Sequence, residues 1–271
     1  MALKLMYITN EKEIAKIAEK SGVDLIFIDL EINGKEERQK YSDTVISRHS
    51  IGDIRKIKSV LHSSKVLVRI NPIYEGSKEE IEEVIEGGAD IIMLPFFKNI
   101  LEVEKFLEYV NGRTKTCLLL ETPEAVESID DILNLKGIDC IHIGLNDLHL
   151  GYKLKFMFEL LSNGLVEKLC DKFKRKGITY GFGGIAQLGK GNLSSEYIIG
   201  EHYRLGSNMV ILSRSFCNLK EIKNVKEVQE IFFRGVRKIR NYEKSLKNKD
   251  KEFFNNNKNK VEERINKILK G

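Results

Sequence analysis

Eight short runs rich in Val, Ile, Leu and Phe recur along the first 220 residues, and segments with helical patterns separate them. In order, the runs are LKLMYI, DLIFIDL from Asp24, KVLVRIN from Lys65, DIIMLPF from Asp90, KTCLLLE from Lys115, CIHIGL from Cys140, ITYGFG from Ile178 and NMVILS from Asn208. Strands of a parallel sheet read as continuous apolar runs because helices cover the faces of the sheet. The alternation therefore predicts repeated βα units.

A short motif, Gly-x-Asp or Gly-x-Thr, precedes four of these runs: Gly22-Val-Asp, Gly88-Ala-Asp, Gly137-Ile-Asp and Gly177-Ile-Thr. A glycine at this point can end a helix in the left-handed conformation and turn the chain into the next strand. Eight strands fit a closed barrel of about 250 residues better than the alternative, an open doubly wound sheet. We predict an α/β fold, a single (β/α)₈ TIM barrel whose catalytic domain spans residues 1–220.

Residues 221–271 exceed what the last barrel helix needs. A helical pattern from about Val225 to Leu246 is followed by KNKDKEFFNNNKNK and then by VEERINKILK. This charged helical tail is either a solvated, partly disordered extension or an oligomerisation arm that packs on a neighbouring subunit. We favour the arm, and with it a homo-oligomer.

Composition narrows the functional classes. The net charge of +5 is mild and lies largely in the tail, so nucleic acid is not an expected partner. The sequence has no apolar run of membrane-spanning length and no secretory signal, which predicts a cytoplasmic protein with no membrane partner. Four widely spaced cysteines are expected to be reduced and structural: Cys117, Cys140, Cys170 and Cys217.

Three ionisable residues stand at the ends of otherwise apolar runs. Arg69 lies in VLVRINP, Glu121 ends CLLLETPEA, and Asp147 follows CIHIGLND. Each has a structural explanation: Arg69 can pair with a buried acid, and Glu121 and Asp147 can cap helices. Together they place one cation and two carboxylates at the mouths of strands three, five and six, where barrel enzymes build their sites. We therefore interpret them as a joint site.

Two carboxylates, with no histidine or cysteine among the residues at these strand ends, form an oxygen-rich site suited to Mg²⁺ or Mn²⁺. A 2-oxo acid can chelate such an ion, while Arg69 stabilises the enolate oxygen that develops as the adjacent C–C bond breaks. No lysine stands at an equivalent strand end, which argues against a Schiff base.

The segments GVDLIFIDLE, VLVRINP, GADIIMLPFF, LLLETPEAVESIDDIL and GIDCIHIGLNDL resemble successive strands of the HpcH/HpaI aldolase and citrate lyase β-subunit family. The resemblance implies metal-dependent carbon–carbon lyase chemistry on a barrel. It implies that Arg69 stabilises the enolate, that Glu121 and Asp147 bind the metal, and that the N–H groups of Asn146 and Asp147, after Gly144, bind the substrate carboxylate. Gly183, with Gly184, lies at the mouth of strand seven, where it either permits close substrate approach or is a mere turn glycine.

The sequence departs from the pyruvate aldolases after the second strand. Those enzymes carry Gly-Glu-His there, with the histidine as part of the base, whereas this chain has Asp29-Leu30-Glu31-Ile32. The following segment, Asn33–Ser50, is long for a βα loop and contains Lys35, Arg38, Arg48 and His49. It is either a solvated surface loop or a cationic loop that contacts the substrate and supplies His49 as the missing acid or base.

Two further histidines have less specific interpretations. His142 alternates with apolar residues and is expected to pack inside the barrel. His149 either orients Asp147 or is an exposed loop residue.

These features predict a metal-dependent aldolase that forms or cleaves a 2-oxo acid such as pyruvate. One alternative is a citrate lyase β-like acyl-CoA lyase acting on an acyl thioester, which the Asp29-Leu30-Glu31 run supports. The other is a barrel without catalysis that serves as a binding or assembly subunit.

Overall fold

Eight parallel strands close into a barrel in sequence order, with the eighth strand paired to the first. The computed structural model describes residues 2–33, 49–219, 221–222 and 224–270. The strands are β1 (Lys4–Ile8), β2 (Leu25–Asp29), β3 (Lys65–Arg69), β4 (Ile91–Leu94), β5 (Lys115–Leu120), β6 (Cys140–Ile143), β7 (Thr179–Ile185) and β8 (Met209–Leu212). Each predicted run coincides with one strand, so the (β/α)₈ barrel is confirmed.

Helices surround the barrel and connect its strands. They are α1 (Lys12–Lys20), α2 (Ile51–Lys58), α3 (Ser77–Glu86), α4 (Ile100–Val110), α5 (Pro123–Glu127), α6 (Ile129–Ile132), α7 (Leu145–Gly151), α8 (Glu159–Ser162), α9 (Leu165–Arg175), α10 (Ser195–Leu205), α11 (Val225–Leu246) and α12 (Lys251–Lys270). A 3₁₀ turn, Arg214–Phe216, follows β8. None of the helices that the structure describes is both long and apolar enough to cross a membrane.

Alternating side chains divide the core into two layers, as the period of a strand requires. The larger layer lies between strands and helices, and the smaller one fills the barrel. The barrel interior contains Met6, Leu25, Phe27, Leu67, Met93, Cys117, Leu119, Cys140 and Met209. Continuing the same alternation toward the carboxyl ends places Asp29, Arg69 and Glu121 at the mouth of the barrel. All four cysteines are buried and free of disulfides, as expected.

The Gly-x-Asp motifs lie at the amino ends of the strands, opposite the barrel mouth that holds Asp29, Arg69 and Glu121. Gly22, Gly88 and Gly137 adopt φ angles of +94°, +92° and +95°, a region that favours glycine. The aspartate two residues later accepts a hydrogen bond of 2.8 Å from the second residue of the preceding strand. The pairs are Leu5 to Asp24, Val66 to Asp90 and Thr116 to Asp139. Each of these carboxylates therefore links the start of its own strand to the preceding strand of the barrel.

The two C-terminal helices pack on their own barrel. Glu243 of α11 accepts a 2.7 Å hydrogen bond from the N–H of Leu3, next to β1. In α12, Asn257 is buried and donates to Glu201 at 2.9 Å, while a Cβ on Gly200 would lie 2.6 Å from the Asn257 amide nitrogen. Residues 251–270 therefore form a packed helix and not a partly disordered extension. The oligomerisation arm stays a prediction.

Candidate active site

Arg69 is held by two buried carboxylates at the mouth of the barrel. Asp29 and Arg69 are register partners on β2 and β3, and the Arg69 Nε and Nη2 atoms each donate to Asp29 at 2.9 Å. Arg69 Nη1 lies 3.3 Å from Glu31 Oε2. Burial alone would lower the pKa of Arg69, but Asp29 and Glu31 raise it above its usual value. The guanidinium therefore stays charged, and its five N–H donors are not exhausted by these three contacts.

This geometry supports both interpretations of Arg69. The arginine pairs with a buried acid, as the structural explanation required. It also stands close enough to Glu121 for that carboxylate to raise its pKa further. Arg69 and Glu121 therefore belong to one electrostatic cluster.

Glu121 follows β5, and backbone contacts orient its buried carboxylate. Its Oε1 accepts a 3.1 Å hydrogen bond from the N–H of Phe96, whose φ of +48° is unusual for a residue other than glycine. Strained backbone of this kind concentrates at functional sites. The capping explanation for Glu121 is wrong, because Thr122 is the N-cap of α5 and accepts from the N–H of Ala125 at 3.3 Å.

Gly144 provides the space that the Glu121 carboxylate occupies. Leu120 and Ile143 are register partners, so the next residues on β5 and β6, Glu121 and Gly144, lie side by side. A Cβ on Gly144 would lie 2.6 Å from Glu121 Oε2 and 2.8 Å from Glu121 Cβ. Gly144 was predicted to bind substrate. That role stays a prediction, and what the structure shows is a steric role, since any side chain there would displace the Glu121 carboxylate.

Asp147 is the third residue of α7, and Gly144 occupies the N-cap position of that helix, so Asp147 is not its N-cap. Asp147 and Glu121 line one pocket of about 430 Å³, together with Phe96, Lys98 and Leu150. Asn146 lies in the same turn, where backbone N–H groups have no acceptor within the helix.

The donor set decides which group this pocket can hold. Within the described ranges, no group of three or more His, Cys, Asp or Glu residues is arranged to bind a metal. Two carboxylates on one pocket nevertheless fit Mg²⁺ or Mn²⁺, which retain water and substrate oxygens as further ligands. The residues present are therefore compatible with the predicted ion.

Gly183 supports α7 from β7. It has a φ of +53°, and a Cβ there would lie 2.7 Å from the Cδ1 atom of Leu145, the first residue of α7. Gly183, like Gly144 and Asn146, does not line the pocket that Glu121 and Asp147 share, and its predicted contact with substrate stays a prediction. The glycine thus allows the helix that carries Asp147 to approach the barrel.

His142 is a buried side chain on β6, as expected. Its Nε2 donates to the Gly183 carbonyl at 3.0 Å. Burial lowers the pKa of His142 to about 4; the Gly183 bond opposes this shift and the charge of Arg69 adds to it. His142 is therefore neutral at neutral pH.

His149 is buried within α7, and its ring Nδ1 contacts the Asn146 carbonyl. The expectation of an exposed loop histidine is wrong, because the residue lies inside a helical turn.

His49 contacts the backbone of Asp29, whose carboxylate pairs with Arg69, and it lines a different pocket from the one with Glu121 and Asp147. Its Nδ1 accepts a 3.0 Å hydrogen bond from the N–H of Asp29. An accepting Nδ1 fixes the neutral ring with its proton on Nε2. The other residues predicted for this loop, Lys35, Arg38 and Arg48, lie outside the described residues.

Replacing Gly144 by alanine tests the packing of the carboxylate. We expect Gly144→Ala to displace Glu121 and to weaken Mn²⁺ binding in the presence of oxalate by about 10- to 100-fold in a calorimetric titration. Gly52→Ala is the matched control for metal binding, because a Cβ there meets only the Ser50 hydroxyl at 3.7 Å and no residue of the pocket with Glu121 and Asp147. Unchanged affinity in Gly144→Ala, with a folded variant, would contradict the role given to this glycine.

Comparison with known proteins agrees with this fold. The chain matches the HpcH/HpaI aldolase/citrate lyase family over residues 4–157. It is similar in structure to an HpcH/HpaI aldolase from Desulfitobacterium hafniense DCB-2, with a TM-score of 0.61, 17% identity, and coverage of 84% of this chain and 93% of that one. An HpcH/HpaI aldolase/citrate lyase family protein from Burkholderia cenocepacia J2315 has a TM-score of 0.58 and 14% identity, with coverage of 84% and 95%.

At these identities the two structures show the shared fold alone. No protein of curated function matches the chain. The family match itself spans more than half of the sequence and includes Arg69, Glu121 and Asp147. The chain belongs to the HpcH/HpaI aldolase/citrate lyase family, a group of lyases.

Proposed function

We propose that the protein is a divalent-metal-dependent carbon–carbon lyase that forms or cleaves a 2-oxo acid, with pyruvate as the enolate-forming part. The observation that carries this proposal is the convergence of Glu121 and Asp147 on one pocket beside the buried Arg69. Family membership supports the lyase chemistry. The choice of a 2-oxo acid follows from the chemistry of this donor set.

Glu121 and Asp147 are the residues that would hold Mg²⁺ or Mn²⁺. When bound, such an ion supplies Lewis acidity toward the keto and carboxylate oxygens of the substrate. Phe96 and Gly144 fix the Glu121 carboxylate before the ion binds, which reduces the reorganisation that binding requires.

Arg69 supplies positive charge where the enolate oxygen develops. Asp29 and Glu31 fix the orientation of its guanidinium, and a preorganised donor stabilises developing charge better than a mobile one. The N–H groups of Asn146 and Asp147, at the start of α7, would receive the carboxylate of the 2-oxo acid.

His49 is our candidate for the proton transfer that the electrophilic groups do not perform. Because Nδ1 accepts from the N–H of Asp29, the neutral ring carries its proton on Nε2 and can donate a hydrogen bond there; full proton transfer requires the Nδ1–Asp29 bond to break so that the ring can become imidazolium. We expect His49→Ala to lower kcat by about 100-fold and to remove one limb of the pH–rate profile. A profile that this substitution leaves unchanged would exclude His49 from proton transfer.

A retro-aldol assay tests the proposed function directly. Pyruvate release from a panel of 4-hydroxy-2-oxo acids, with added Mg²⁺ or Mn²⁺, is followed for the wild type and for Glu121→Gln. We expect metal-dependent pyruvate release that Glu121→Gln lowers by about 100-fold or more. The glutamine side chain has nearly the same shape as glutamate but lacks the negative charge that would bind the metal. Glu104→Gln, at an exposed position on α4, is the matched control and should behave as the wild type.

The same assay separates the two enzymatic candidates. The Asp29-Leu30-Glu31 run, now seen to hold Arg69, is the feature that favours an acyl thioester lyase. Thioester turnover without pyruvate release would replace the aldolase proposal by that alternative. If the protein shows neither activity and binds neither metal nor oxalate, the remaining candidate is a barrel without catalysis that serves as a binding or assembly subunit.

A further inference from the structure

A second cavity, the one that His49 lines, lies between the residues that follow β2 and helix α3. Its volume is about 640 Å³, and it shares no lining residue with the pocket of the candidate active site. A cavity of this size can hold a small organic molecule. Among the residues that the structure describes, no lysine or arginine lines it, whereas four glutamates do: Glu75, Glu79, Glu80 and Glu83. The potential in this cavity therefore favours a cation.

Glu80 lines the cavity with a carboxylate that is only half satisfied. The residue is 7% exposed, and its Oε1 accepts hydrogen bonds from the N–H and the side-chain amide of Asn71 at 3.2 and 2.8 Å. Within the described part of the chain, its Oε2 has no hydrogen-bond partner. The Tyr74 hydroxyl is close enough to stabilise the charge of this carboxylate, but it makes no hydrogen bond of normal length and angle to Oε2. Buried carboxylate oxygens are normally paired, so a ligand with a charged donor would complete this group.

Two of the other glutamates stand one helical turn apart. Glu79 and Glu83 are exposed on α3, and four residues of an α-helix span about 6 Å along its axis. A negative charge in the first turn stabilises a helix, which accounts for Glu79 but not for Glu83. Like charges four residues apart repel each other, so the helix itself gains nothing from this pair. A bound cation would relieve the repulsion.

The walls beside these carboxylates are aromatic and aliphatic. The Tyr74 ring packs against Gly76, where a Cβ would lie 2.8 Å from Tyr74 Cε2, so the glycine makes room for the ring. Leu30 and Ile32 also line the cavity. Aromatic rings attract ammonium groups, and aliphatic side chains pack against methylene groups. A metal ion fits this wall less well, because the described ranges contain no group of three or more His, Cys, Asp or Glu arranged to bind one.

We propose that this cavity binds an aliphatic diamine, a chain of methylene groups with a positively charged amino group at each end. One ammonium group donates to Glu80 Oε2, and the other lies between Glu79 and Glu83. The methylene chain packs against Tyr74 and the aliphatic wall. The site is separate from the proposed lyase chemistry and needs neither a metal nor a 2-oxo acid.

Calorimetric titration of the full chain with putrescine and with butylamine tests the proposal. Mg²⁺ is present throughout at physiological ionic strength, so that the diamine does not compete for vacant carboxylates at the candidate metal site. We expect one saturable site for putrescine and an affinity for butylamine that is about 10- to 100-fold lower, because the monoamine lacks the second charge. Equal affinity for the two amines, or no saturable putrescine binding, would overturn the proposal.

Three variants locate the bound diamine. Glu80→Gln keeps the acceptor for Asn71 and removes the charge, and we expect it to weaken putrescine binding by about 10- to 100-fold. Glu83→Gln changes an exposed residue, so it tests the second ammonium position without disturbing the core. Glu104→Gln is the matched control, an exposed glutamate on α4 that does not line the cavity, and should bind putrescine as the wild type does. Wild-type affinity in folded Glu80→Gln or Glu83→Gln would contradict the site.

Discussion

A buried guanidinium at the mouth of a barrel requires carboxylates beside it, and the pairing of Arg69 with Asp29 and Glu31 meets that requirement. Removing one partner of such a pair costs about 3–5 kcal/mol, because the other charge stays buried. Apolar side chains would stabilise the same position more simply. The ion pair therefore points to a function for a fixed cation, and the barrel register that aligns Asp29 with Arg69 supplies its geometry.

Strand register also fixes the position of a carboxylate at the ends of β5 and β6. Register places Glu121 next to Gly144, the absent side chain leaves room for the carboxylate, and the N–H of Phe96 orients it. Gly183 lets α7 approach, which brings Asp147 to the same pocket. Backbone geometry, more than side-chain contacts, thus prepares the proposed metal ligands.

Much of this arrangement could be predicted from the sequence. Strand runs, glycines before strands and ionisable residues at strand ends are local patterns; they predicted the barrel, which is confirmed, and singled out Arg69, Glu121 and Asp147 as the candidate site. The steric role of Gly144 and the donor at Phe96 depend on which residues become neighbours across strands, which no local pattern contains.

The central claim is that Glu121 and Asp147 jointly bind a divalent ion beside Arg69. Electron paramagnetic resonance of Mn²⁺ titrated into the protein measures this most directly, since the signal of free Mn²⁺ falls as the ion binds. We predict one saturable site in the wild type, weakened in both Glu121→Gln and Asp147→Asn. Wild-type affinity in either folded variant, or no bound Mn²⁺ in the wild type with oxalate present, would contradict the claim.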